Sequence, residues 1–113
     1  MSYVEEVEQS LKQSRERVEL LKSLERLKAN PDFQRVVLKG YLTEEPVRLV
    51  HLKAEKAMQT PERQQSILQQ IDAIGMLNNY FNVIHHLAMQ ATKEIEDHQE
   101  ALANEAVAEE ELV

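Results

Sequence analysis

Residues 67–102 read ILQQIDAIGMLNNYFNVIHHLAMQATKEIEDHQEAL, and an apolar side chain returns at every seventh position: Ile67, Ile74, Phe81, Ala88, Ile95 and Leu102. Leu77, Ile84 and Ala91 fill the second apolar position of the same repeat, with Gln70 and His98 as polar exceptions. A repeat of this kind is the seam of a coiled coil or a long helical bundle, because the helical turn keeps both positions on one stripe. Ile74, Leu77, Phe81, Ile84, Ala88, Ala91 and Ile95 form its main part, and the Ala pair calls for a close partner helix. Leu68, Ile71 and Leu87 add a second stripe. From Pro61 to about residue 104 only Gly75 disturbs the pattern, at a cost of about 1 kcal/mol relative to Ala. A helix of that span is on the order of 65 Å long, too long for a compact domain of 113 residues.

Upstream, residues 3–29 form a second amphipathic helix, with Val4, Val7, Leu11, Val18 and Leu21 at a 3-4 spacing interrupted by Ser14. Leu20, Leu21, Leu24 and Leu27 cover more than one stripe, which predicts burial by more than one neighbour. Asn30-Pro31-Asp32 is a boundary, since proline disfavours helical geometry at Asn30 while Asn-Pro is a good cap and first-turn pair. A short helix over 31–39 carries Phe33, Val36, Val37 and Leu38 and stops at Gly40 with a left-handed residue. Thr43 caps a third helix over 44–58, with Glu44, Glu45 and Pro46 in its first turn and Val47, Leu49, Val50, Leu52 and Ala54 as its apolar content. Thr60-Pro61-Glu62 repeats the device. The predicted protein is all-α, with two long helices flanking two short ones in a coiled-coil-like, oligomeric bundle. It forms one domain over 1–104, followed by a frayed acidic tail over 105–113.

Composition narrows the function classes. Two Phe, three Tyr and no Trp leave aliphatic residues and Met to do the packing, which suits helix seams better than an aromatic-lined pocket, so no small-molecule substrate is expected. The absence of Cys excludes disulfides, thiolate metal sites and Cys nucleophiles. Neither a signal-peptide pattern nor an apolar run long enough to span a bilayer is present, so a soluble, non-secreted protein with no membrane partner is expected. The net charge of −7 is uneven. Residues 94–113 hold eight acids (Glu94, Glu96, Asp97, Glu100, Glu105, Glu109, Glu110, Glu111) and no Lys or Arg. The mildly basic stretch 12–63 is too dilute for direct nucleic-acid binding. The acidic run either solubilises the chain or presents charge to a basic partner.

Catalytic and metal chemistry find little support. His85 and His86 are adjacent and point about 100° apart on a helix, so one packed and one solvated imidazole is the plain reading. Glu94 and His98 are one turn apart, but the di-iron bundle signature needs His three residues after Glu, and Ile95 stands there. His51, between Val50 and Leu52, reads as a satisfied, partly buried histidine. With no nucleophile motif and only Gly40 and Gly75 as glycines, neither an activated Ser nor a phosphate loop can be built. No enzyme activity, cofactor or metal is expected. One docking surface is suggested instead: Phe33, Arg35, Lys39, Arg48 and Lys53 set basic edges around apolar residues.

Three words of the sequence, Asn30-Pro31-Asp32-Phe33-Gln34-Arg35-Val36-Val37-Leu38-Lys39-Gly40-Tyr41, Arg48-Leu49-Val50-His51-Leu52-Lys53-Ala54 and Ala73-Ile74-Gly75-Met76-Leu77-Asn78-Asn79-Tyr80-Phe81, resemble small helical proteins of tailed bacteriophages across residues 25–85. The resemblance implies a virion or head-assembly role, a location in host cytoplasm or virion, and no catalytic residues to carry over. The residues themselves point to a non-catalytic structural or assembly protein whose partners are itself and another protein. The alternative is an inhibitor or regulator that offers its acidic C-terminal segment to a nucleic-acid-binding or basic protein. Each large seam residue removed from water contributes roughly 1.5–3 kcal/mol before entropy costs. On this reading Phe81→Asp dissociates an oligomer, and a variant that keeps the wild-type sedimentation mass would count against it.

Overall fold

A computed structural model describes residues 2–112, and its fold is all-α. Helix α1 spans Tyr3–Ala29, α2 is a single turn at Pro31–Phe33, a π-helical stretch covers Gln34–Glu44, α3 spans Glu45–Ala54, a 3₁₀ turn covers Lys56–Met58, and α4 runs Pro61–Glu111. Two of the expected caps form. Asn30 Oδ1 accepts the N–H groups of Asp32 and Phe33 at 2.9 and 3.1 Å, and Thr60 Oγ1 accepts that of Arg63 at 3.3 Å, which satisfies donors that a helix start leaves unpaired.

The middle of the chain departs from expectation. Gly40 does not end a helix, for no glycine among the described residues has positive φ. Helical geometry continues instead from Pro31 to Ala54, wound wide between Gln34 and Glu44. In that stretch bonds reach five residues back: Glu45 N–H donates to Gly40 O. Thr43, the expected cap, donates its hydroxyl to Leu38 O at 2.9 Å. Pro46 follows directly, and proline can neither donate to the turn before it nor tolerate the carbonyl four residues back at ordinary α spacing. A wide turn at that point is one of the ways a helix accommodates such a residue. Gly40 fits the same geometry, since a Cβ there would stand 3.0 Å from Arg35 O, the carbonyl five residues back. The third helix is shorter than the expected 44–58, ending at Ala54 before the 3₁₀ turn.

Helix C-termini are closed by glutamines. Gln34 Nε2 donates to Lys28 O at 2.6 Å, and Gln59 Nε2 donates to Lys53 O at 2.9 Å and Glu55 O at 2.7 Å. Gln64 Nε2 donates to Lys53 O and Met58 O at 2.9 and 2.7 Å, and the Arg63 guanidinium bonds Ala57 O. These are carbonyls that the ends of α1 and α3 and the joint before α4 would otherwise leave to water.

The chain divides into two compact units. The first combines the chain up to Ser23 with Val83 onward. Its buried residues are Val7, Leu11, Ser14 and Leu21 from α1 and Ile84, Ala88 and Ala91 from α4. Ser14, the polar break in the α1 stripe, is 2% exposed and donates its hydroxyl to Glu94 Oε2 at 3.0 Å. The second unit, Leu24–Asn82, has its core at Leu49, Ile67 and Ile74, with Leu42, Leu52, Met58 and Ile71 packed on it. Phe81 is half-buried there; its ring centroid lies 6.2 Å from that of Phe33, and Lys28 Nζ lies 6.0 Å from it. The α4 seam is thus buried by the chain's own residues. Phe81→Asp would strip this internal contact first. Leu20 and Leu27 are about half exposed, at 47% and 49%, against the expected double burial. Residues 105–111, expected as a tail, belong to α4.

The two glycines should separate in a thermal or chemical denaturation followed by circular dichroism. Gly75 has nothing within 4 Å of a Cβ position, so Gly75→Ala should add about 1 kcal/mol of stability. Gly40→Ala should fall short of that gain by roughly 1 kcal/mol or more, because the Arg35 carbonyl must move. Equal gains at both positions would contradict the close approach at Gly40.

Candidate functional site

The residues that could carry chemistry do not converge. His51, His85 and His86 are all exposed, which corrects the partial burial expected of His51 and of one of the adjacent pair. His86 Nε2 lies 3.2 Å from Gln90 Nε2. Among the described residues no three His, Asp or Glu come together to hold a metal, and no helix is long and apolar enough to cross a membrane. His98 is the exception to exposure. It sits half-buried on the α4 seam of the first unit, and its Nδ1 is buried without a hydrogen-bond partner. A polar ring nitrogen buried without a partner costs about 1–3 kcal/mol of desolvation.

The feature with the geometry of a binding surface lies along the helical segment 31–54. One side supplies Leu42, Leu49 and Leu52 to the core. The other leaves Val36, Val47 and Val50 at 63, 57 and 60% exposure, with Tyr41 at 36%. Single exposed aliphatics are ordinary, whereas several on one short segment are informative. Two open hollows lie on it. The first, about 450 Å³, is lined by Val36, Gly40, Tyr41, Glu44, Glu45 and Arg48. The second, about 430 Å³, is lined by Val50, Lys53, Ala54, Lys56 and Gln59.

The expected docking residues scatter across this surface. Phe33 is occupied by Phe81. Lys39 is paired with Glu44 at 3.8 Å, and Arg48 with Glu45. Hydrogen bonding from Arg48, with its charge, holds the Glu45 carboxyl below its ordinary range, and the same bond raises the guanidinium. Arg35 is exposed away from both hollows, and Lys53 edges the second. The exposed valines and Lys56 were not among the expected contacts. Their signal was available: Val47 and Val50 are three apart, while Leu49 and Leu52 belong to another stripe of the same helix.

The acidic run lies on α4. Glu94, Glu96, Asp97, Glu100, Glu109, Glu110 and Glu111 are exposed and Glu105 is half-buried. Among the described residues none of these eight is in an ion pair.

Replacing His98 with Leu keeps the packing and removes the orphaned nitrogen, so urea unfolding should show a gain of about 1 kcal/mol. A loss of stability in His98→Leu would count against an unpaired Nδ1 as a cost to the fold. No protein-family model, curated protein or solved structure matches this chain.

Proposed function

We propose that this chain is a non-catalytic structural or assembly protein that binds other protein subunits through apolar helix faces. The supporting observation is the outward side of residues 36–50, where Val36, Val47 and Val50 are each more than half exposed on a segment whose other side is core. Helix-face recognition of this kind gains its affinity from desolvating apolar side chains, with charged edges setting orientation. The bacteriophage resemblance sets this role in a virion or its head-assembly pathway. In this proposal the partner-binding role passes from the α4 seam, which the chain itself buries, to the faces it leaves open.

An acidic regulator is the second reading, favoured by the helical state of the acids through Glu111 and by the lack of any ion pair to them among the described residues. Its binding to a basic protein would weaken steeply with salt, whereas burial of valines would not.

Light-scattering mass at low and high salt separates these. The wild-type chain should exceed its monomer mass of 13.1 kDa at both salts, and Val36→Asp/Val47→Asp should lower that mass with helicity unchanged. A wild-type monomer at every concentration, or a double variant that associates as well as wild type, removes the exposed face from the proposal.

A further inference from the structure

The second hollow differs from the first in charge. Its apolar lining is Val50 and Ala54, and its rim carries Lys53 and Lys56, neither of which has an ion-pair partner among the described residues. The first hollow, by contrast, has its cation neutralised by Glu45. The second is also preformed on one side, because Gln59 is fixed by its bonds to Lys53 O and Glu55 O. A ligand suited to it would bring an apolar side chain flanked by carboxylates.

The chain carries such a segment at its own acidic end. Val107 is 52% exposed and Leu112 is 88% exposed, with Glu109, Glu110 and Glu111 between them, and no Lys or Arg occurs after Lys93. We infer that the segment 105–112 of a second copy docks in the hollow of Val50, Lys53, Ala54 and Lys56, its carboxylates meeting the two free lysines and its apolar residues covering Val50. The inference rests on the subunit-binding reading and names one partner for it. Two different surfaces are joined, so the contact is heterologous: each copy keeps a free hollow and a free acidic end, and association continues into rings or open chains. Mass therefore grows with concentration at low salt, and the growth weakens as salt screens the lysine–glutamate attraction.

A charge exchange tests this by light scattering at low salt. Lys53→Glu/Lys56→Glu alone should stop the growth, and so should Glu109→Lys/Glu110→Lys/Glu111→Lys alone; all these positions are exposed, and circular dichroism checks that each variant stays helical. An equimolar mixture of the two should restore growth, because each then offers the charge the other lacks. Growth that persists in either variant, fails to return on mixing, or is absent from the wild type overturns the inference. Neither variant alters Val36 or Val47, so a mass lowered by Val36→Asp/Val47→Asp but indifferent to both charge variants would retain subunit binding and discard this partner.

Discussion

Burial of one aliphatic stripe on α4 is the constraint around which the other helices are arranged. Ile67 and Ile74 of that stripe meet Leu49 in one unit, and Ile84, Ala88 and Ala91 are buried in the unit that also buries Val7, Leu11 and Leu21. The two stretches bury different shapes. Large residues in the first accept a short helix with Leu42, Leu52 and Met58 around it, whereas the small pair at 88 and 91 is fully buried in the other unit. With few aromatic side chains available, stability is spread over many modest aliphatic contacts, each felt when a methylene is lost.

The seven-residue spacing made this stripe visible, together with its polar neighbours and the caps at Asn30 and Thr60. It did not show what covers the stripe, because periodicity marks the apolar side of a helix and is silent on whether the covering surface belongs to the same chain. For the same reason Leu20 and Leu27 looked as burial-worthy as Leu21 and Leu24, yet remain about half exposed. Gly40 misled in another way. Glycine marks both a left-handed stop and a place where backbone comes close, and only the i−5 carbonyl of Arg35 decides between them. The open side of residues 31–54 is legible as a region of mixed valines and cations but not by residue, for two of its cations, Lys39 and Arg48, are neutralised by Glu44 and Glu45.

The acids and the exposed valines each lie on helical backbone. The acids at the end of α4 lie on a helix rather than a loose coil, so a partner would pay less ordering entropy to meet them than it would for a flexible tail. The helical segment 31–54 offers valines on one side while Leu49 anchors the other at full burial. A surface backed by core in this way holds its shape when a partner arrives.

The joint between α3 and α4 is held by amide protons of Gln59 and Gln64, with Lys53 O receiving both. That choice has a chemical lifetime attached to it. Hydrolysis of either side-chain amide during ageing would put a carboxylate where a donor stood, facing two carbonyl oxygens with nothing to give them. The loss would come from repulsion between acceptors as well as from the missing bonds, and either change would reach Lys53 O at the end of α3. A chain without thiols is spared disulfide crosslinking, but two of the side chains that close this joint are amides that water can slowly convert.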